Sequence, residues 1–209
     1  MIPKLLHFCF GLSPEFHSPE FRDKPWSLAH HVCVRSAVER IKPERAFFYY
    51  ELMPSGPWWA LTRKLVTLVK VTAPREIFGK PVKHPSHRAD VLRLQKLIEH
   101  GGIYLDIDVL VHRSFDDLLQ HETVLGLDVS RVGADRLLCN AIILAQQNAP
   151  FLRAWYDEYR SFRSNGSDQF WDEHSCQVPA RLAREMPQLL TILEPRHSTG
   201  RAGAATTSI

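Results

Sequence analysis

The sequence predicts an α/β domain whose sheet is mainly parallel and carries helices on both faces. Strand-like apolar runs alternate with stretches of helical period along almost the whole chain, the pattern of such a fold. The length of 209 residues suits one substantial domain and is short for two. Hydrophobic residues make up 44% of the chain and charged ones 23%, with aromatic clusters at 47–50 and 58–59, so a packed core is expected. There is no internal repeat and no interdomain linker.

The elements follow in order. Residues 4–10 form an apolar run ending at Gly11, a first strand placed inside the sheet. A loop rich in Pro, Ser and Phe runs from Ser13 to Pro25. Leu28, Val32, Val34, Ala37, Val38 and Ile41 mark a helix over 27–41, closed by Pro43. A second strand covers Ala46–Leu52, a helix 58–66, and a short third strand Thr67–Thr72, stopped by Pro74. The clearest helix opens at Pro85-Ser86, with Ser86 as N-cap, a stripe of Val91, Leu94, Leu97 and Ile98, and a Gly101-Gly102 stop. A strand over 103–109 follows, then a helical turn at 115–119 and strands at 123–129 and 137–145. Helices over 150–162 and 168–186 and a last strand at 189–193 complete the domain, residues 1–196. The small, polar tail from His197 to Ile209 has no periodicity and reads as disordered.

Charge excludes some functions. The first hundred residues carry a net charge of +7 and the rest −4, without a Lys/Arg run dense enough for a nucleic-acid surface. Cys9, Cys33, Cys139 and Cys176 are too widely spaced for a zinc site and are expected to be free, mostly buried thiols in a reducing compartment. The N-terminus is too short for a signal h-region and nothing approaches a membrane span, so a cytoplasmic protein is expected. His30, His31, His84 and His87 lack metal-ligand spacing and are expected at the surface or in caps. His100 complements a helix C-terminus, and Trp58-Trp59 is expected to serve packing.

The chemistry concentrates in Ile103-Tyr104-Leu105-Asp106-Ile107-Asp108-Val109. On a strand, Tyr104, Asp106 and Asp108 would share one face. Two acids beside a sheet core call for a cation. A hard divalent ion held by one or two carboxylates plus substrate phosphates is the natural candidate. Near the first turns of the helix entering this strand, Asp90 and Arg93 are i, i+3 neighbours that can face one ligand.

Residues 87–109, His-Arg-Ala-Asp-Val-Leu-Arg-Leu-Gln-Lys-Leu-Ile-Glu-His-Gly-Gly-Ile-Tyr-Leu-Asp-Ile-Asp-Val, closely resemble the sugar-binding region of the DXD glycosyltransferases of family 32. The shared pattern is small-x-Asp-x-x-Arg, a helix, then Gly-Gly-x-Tyr-Leu-Asp-x-Asp; the opening Ile-Pro-Lys-Leu-Leu-His-Phe-Cys-Phe-Gly also looks like that family's first strand. The resemblance implies a GT-A-like, Rossmann-related fold and a retaining transfer of a hexose from a UDP- or GDP-sugar donor to a glycan or other hydroxyl acceptor. By the same resemblance Asp108 binds Mn2+ or Mg2+ directly, and Asp106 reaches the ribose and holds the metal through water, making these the catalytic pair. Asp90, Arg93 and Tyr104 contact the nucleotide sugar, Asn140 lies near the transferred sugar, and Asp128 contacts donor or acceptor. Phe10 stands where many members carry a Trp close to the base. No protein nucleophile is implied.

Members usually continue past the last strand with His-, Ser- or Trp-containing segments that complete the metal site. Here Pro195 leads into the featureless tail, so donor binding is the firmer expectation and turnover the weaker. Two other readings compete. One is a degenerate fold that binds nucleotide or a partner without catalysis. The other is a phosphatase using Asp-x-Asp as a nucleophilic loop. The phosphatase motif belongs on a first strand, whereas about a hundred residues precede it here.

Overall fold

A computed structural model describes residues 1–13, 26–128 and 137–194. Most of the expected loop up to Pro25, the last residue of the strand expected over 123–129, and the tail from His197 lie outside the described residues.

The main sheet has seven strands: β1 (Leu5–Phe10), β2 (Arg45–Tyr50), β3 (Thr67–Lys70), β6 (Gly102–Leu105), β7 (Thr123–Leu127), β8 (Leu138–Ala145) and β9 (Thr191–Leu193). Their order is β3-β2-β1-β6-β8-β7-β9. β1 pairs in parallel with β2 and β6, β2 with β3, and β7 with β9, while β8 runs antiparallel to both β6 and β7. The sheet is therefore mixed and mainly parallel, with β1 inside it as expected. β4 (Glu76–Ile77) and β5 (Lys80–Pro81) form a separate hairpin.

Helices cover both faces. On one side α1 (Leu28–Ile41) and the short α2 (Pro57–Thr62) pack Val34, Ala37, Ile41 and Trp59 against Leu6, Phe8, Phe48, Ile103 and Leu105. On the other, α3 (Pro85–His100), α4 (Pro150–Glu158) and α5 (Val178–Glu185) pack Val91, Leu94, Leu97, Phe151, Trp155 and Leu182 against Cys9, Tyr49, Tyr104 and Ile143. Successive residues of β6 thus serve opposite cores: Ile103 and Leu105 face one, Tyr104 the other, as the two-residue strand period dictates.

Several expectations need correction. The N-cap of α3 is His84, whose ring accepts from the Ser86 amide; Pro85 occupies the first turn, where its missing N–H costs nothing. Ser27 caps α1 in a reciprocal box with His30. The helix expected over 168–186 does not exist as one unit. Pro179 cannot donate inside a continuous helix, so α5 starts at Val178, with Pro179 in its first turn and a wide five-residue turn, Glu173–Gln177, before it. The strand expected over 103–109 stops at Leu105, and α2 ends four residues early, at Thr62. Trp59 is core, while Trp58 is 36% exposed. Cys9 and Cys33 are buried, Cys139 and Cys176 are partly so, and all four are free.

Candidate active site

The site is built where β6 emerges between α3 and β8. Gly101 and Gly102 take φ values of 67° and 115°, a conformation that disfavours side chains. A Cβ on Gly102 would meet the Leu5 carbonyl oxygen at 2.5 Å and His7 Nε2 at 2.8 Å, so glycine is what lets β6 start hard against β1. After Leu105 the Asp106 amide still bonds the Ala141 carbonyl across to β8, at 2.8 Å. The Asp106 carbonyl then accepts from Val109 N–H at 3.2 Å, closing a four-residue turn. Asp106 thus remains on the Tyr104 side, and Asp108 is carried out of the sheet into an exposed position on that turn.

Behind Asp106 lies a buried network. Tyr104 donates its hydroxyl to Asp106 Oδ1 at 2.8 Å. With that proton committed, the Cys9 thiol donates to Tyr104 at 3.1 Å; burial has pushed the thiol up to about 11, which keeps it protonated. Arg93 is 5% exposed and spends every guanidinium nitrogen inside the protein. Its Nη1 bonds the Asn140 carbonyl at 2.6 Å, its Nε the Ala89 carbonyl at 3.3 Å, and its Nη2 lies 3.2 Å from Asp90 Oδ1 and 3.3 Å from Asp106 Oδ1. The guanidinium also sits 4.4 Å above the Tyr104 ring. Burial opposes its charge, but Asp106, Tyr104 and Asp90 overcome that and hold its pKa well above the usual arginine value. Asp90, 6% exposed, accepts at Oδ1 from the Asn140 side-chain amide at 2.7 Å. Asp90 and Arg93 are therefore not a surface ion pair but the centre of a buried cluster.

Asp106 has its pKa raised because burial disfavours the anion, with Arg93 and the Tyr104 hydrogen bond pulling the other way. Its side chain keeps 31% exposure, and among the described residues no hydrogen bond reaches Oδ2. The outer wall is formed by α1. Burial lowers the His30 pKa and raises that of Cys33; Asp108, within electrostatic reach of both, acts to raise each. Phe10, at the end of β1, meets Trp26 edge-on at 5.3 Å and His30 at 5.9 Å, an aromatic group whose His30 is within electrostatic reach of Asp108. A largely apolar cavity of about 340 Å³ opens on Asp108, lined by Val111, Phe115, Leu127, Cys139 and Ile142 among others. Asp128 follows β7 directly, and the Cys139 thiol is raised by burial first and then by Asp128 and Asp106. The structure thus gathers Asp90, Arg93, Tyr104, Asp106 and Asn140 into one cluster, with Asp108 on the turn that follows Asp106; Phe10 joins Trp26 and His30, and Asp128 lies within electrostatic reach of Cys139.

Residues 49–125 match the family described as the glycosyltransferase sugar-binding region containing a DXD motif. Over those residues the chain is similar to DXD glycosyltransferases. It is 40% identical over 201 residues to glucan organizing enzyme 1 of Cryptococcus neoformans var. grubii, covering 94% of this chain and 53% of that protein. The chain therefore spans about half the length of that relative. A shorter match, 33% identical over 88 residues, joins 42% of this chain to 14% of subversion of eukaryotic traffic protein A from Legionella pneumophila. Among solved structures, the PaToxG glycosyltransferase superposes with a TM-score of 0.63 at 16% identity, over 89% of this chain and 70% of that one. The glycosyltransferase GlyE of Streptococcus pneumoniae, in its apo form, gives 0.50 at 11% identity, over 92% of this chain and 45% of that one. The DXD region thus sits on a GT-A-type fold.

Sequence reasoning missed three residues close to the DXD region. His30 is the N3 residue of a capping box, as its expected cap role allows, but its place within electrostatic reach of Asp108 has no signal in the sequence. His87, likewise expected at the surface or in a cap, is 3% exposed and contacts Asp90. Ser164, bonded to His87, lies 77 positions downstream. For His87 one signal existed, its i, i+3 spacing from Asp90 on one helix face. For Ser164 there was none.

Proposed function

We propose that this region acts as a metal-dependent transferase moving a hexose from a UDP- or GDP-sugar to a glycan or other hydroxyl acceptor, with retention of anomeric configuration. The carrying observation is the split character of the acid pair. Asp108 is exposed on a turn, while Asp106 is locked from behind by Tyr104 and Arg93, with Oδ2 uncommitted among the described residues. Among the described residues no group of three or more His, Cys, Asp or Glu side chains could hold a metal by itself. Two carboxylates of this kind fit a Mn2+ or Mg2+ ion that completes its shell with water and phosphate oxygens. When bound, such an ion would offset the negative charge that develops on the departing nucleoside diphosphate.

The protein's own groups have distinct parts. Asp108 and Asp106 present the hard oxygens, as the catalytic pair. Arg93, with no free nitrogen, acts from behind: its fixed positive charge favours the Asp106 anion and holds Asp106 and Asp90 in place, a preorganised arrangement that needs no rearrangement during reaction. This differs from the direct contact with donor expected of Arg93 from sequence. Asp90 and Asn140, hydrogen-bonded to each other, offer sugar hydroxyls a polar edge. Phe10, beside Trp26 and His30, provides the aromatic surface for a base. The cavity beside Asp108, with Asp128 within electrostatic reach of its lining residue Cys139, gives room for the acceptor. The name of the Cryptococcus relative favours a glucan-type acceptor.

Calorimetric titration with UDP and GDP, each with and without manganese, tests the reading. Manganese should tighten nucleotide binding in the parent chain and not in Asp108→Ala, because metal and diphosphate would share one site. Equal nucleotide affinity in both proteins, independent of manganese, would sink it.

A further inference from the structure

A chain of polar contacts runs from the acid pair into the protein and ends on a distant loop. Asp106 Oδ1 and Asp90 Oδ1 share Arg93. Asp90 Oδ2 faces His87 Nδ1 at 3.4 Å, and His87 Nε2 lies 3.0 Å from Ser164 Oγ. Ser164 in turn reaches Asp168 Oδ1 at 2.8 Å. His87 and Ser164 are each 3% exposed. Trp171 and Phe162 close over the imidazole, with ring centroids at 4.8 and 5.2 Å.

The loop end of this chain is held by its own hydrogen bonds. Asp168 accepts from the Asn165 and Phe170 amides, at 2.6 and 3.0 Å; its pKa is lowered by the Asn165 amide first, then by Ser164 and Phe170. It is a carboxylate and can only accept. Ser164 Oγ has one proton and three acceptors within reach, Asp168 Oδ1 at 2.8 Å, His87 Nε2 at 3.0 Å and the Gly166 carbonyl at 3.2 Å, and it accepts from the Gly166 amide at 3.2 Å. These contacts hold the imidazole from the loop side and leave Nδ1 toward Asp90 Oδ2, where an Nδ1–H donates to the carboxylate. Asn140 and Arg93 already hold Oδ1 of that carboxylate, and His87 is the group that sets Oδ2.

We propose that His87, held by Ser164 and the 164–170 loop, is a positioning residue that fixes the Asp90 carboxylate for the donor sugar. This rests on the reading of Asp90 as a donor-facing group. The loop following α4 is thereby coupled to the DXD turn through side chains alone: a change in the loop reaches the sugar site by releasing Oδ2 of Asp90.

The test compares His87→Ala, His87→Gln, Asp90→Asn and the His87→Ala/Asp90→Asn double variant for manganese-dependent release of nucleoside diphosphate from the best UDP- or GDP-hexose. His87→Ala should raise the donor KM about tenfold with kcat changed by no more than about twofold, and His87→Gln, whose amide can donate to Asp90, should recover part of the loss. In the Asp90→Asn background His87→Ala should add nothing further. Effects of the two substitutions that multiply would overturn the relay, as would a lowered melting temperature with unchanged KM. Nitrogen-15 NMR of the histidine rings supplies a readout independent of turnover. A slowly exchanging Nδ1–H on His87, exchanging faster in Ser164→Ala, is expected, and an unprotonated Nδ1 in the parent chain would refute the assignment. If instead Asp90→Asn leaves the donor KM untouched while the NMR signature is as expected, the donor-facing reading of Asp90 is what fails.

Discussion

Replacing Arg93 with Met is the sharpest way to probe how the acid pair is held. Methionine roughly keeps the length and apolar bulk of the side chain but removes a guanidinium that lies 3.2 Å from Asp90 and 3.3 Å from Asp106, donates to Asn140 at 2.6 Å and covers Tyr104 at 4.4 Å. Breaking a buried ion pair from one side costs about 3–5 kcal/mol, because the remaining charge is left uncompensated. Most of that should fall on Asp90, the more buried of the two acids. Urea unfolding at neutral pH should therefore show a loss of about 3–5 kcal/mol. The pH dependence has a definite sign. Arg93 lowers a folded-state Asp106 pKa that burial has raised, so its removal raises that pKa further above the unfolded value. A raised carboxylate pKa destabilises the fold at pH values above it, and that deficit shrinks as the group takes up its proton. The gap between parent and Arg93→Met should accordingly narrow as pH falls from neutral through the raised Asp106 pKa toward the ordinary carboxylate range. Adding Asp90→Asn should restore about 1–2 kcal/mol by removing the stranded charge. A loss below about 1 kcal/mol, or one that grows on acidification, would refute the buried-cluster account.

Three further outcomes follow from the same geometry. Asp108→Ala should leave urea stability within about 0.5 kcal/mol of the parent, since its side chain is exposed on the turn, while abolishing manganese-dependent activity. Tyr104→Phe removes one donor to Asp106 and the acceptor of the Cys9 thiol. It should cost about 1–3 kcal/mol in urea unfolding, and, because that hydrogen bond lowers the Asp106 pKa, the acid limb of the rate profile should move to higher pH. Gly102→Ala should destabilise the fold by about 3 kcal/mol or more in thermal or urea melts, because the new methyl meets the Leu5 carbonyl at 2.5 Å and φ is 115°.

What the sequence made legible was local. The period of Val91, Leu94 and Leu97, the Gly-Gly stop and the apolar run after it identify α3 and β6 without tertiary knowledge, because both signals lie within one turn or one strand. The hairpin of β4 and β5 escaped notice: each strand is two residues long, and its turn depends on positive φ at Phe78 as well as Gly79, which a Phe does not announce. The antiparallel entry of β8 between β6 and β7 was invisible, since strand direction is set by pairing and not by composition. At the site, the acids and their neighbours were readable as types, but their division of labour was not. A strand drawn to Val109 puts Asp106 and Asp108 on one face; the Asp106–Val109 turn separates them into an anchored and an exposed carboxylate. The burial of Arg93 depends on Asn140, 47 residues away, and on the ring of Tyr104 below it. His87 escaped because its partner Ser164 is supplied by a distant loop.

The central claim is that the Asp106–Asp108 turn transfers a hexose from a nucleotide sugar with a divalent cation. Its most direct test is a screen of UDP- and GDP-hexoses for release of nucleoside diphosphate by the parent chain and by Asp108→Ala, with manganese and with chelator. The account predicts release from at least one donor that requires manganese and is lost in Asp108→Ala. Cleavage of phosphate monoesters in place of nucleotide sugars, or donor turnover that survives both chelation and the substitution, would contradict it.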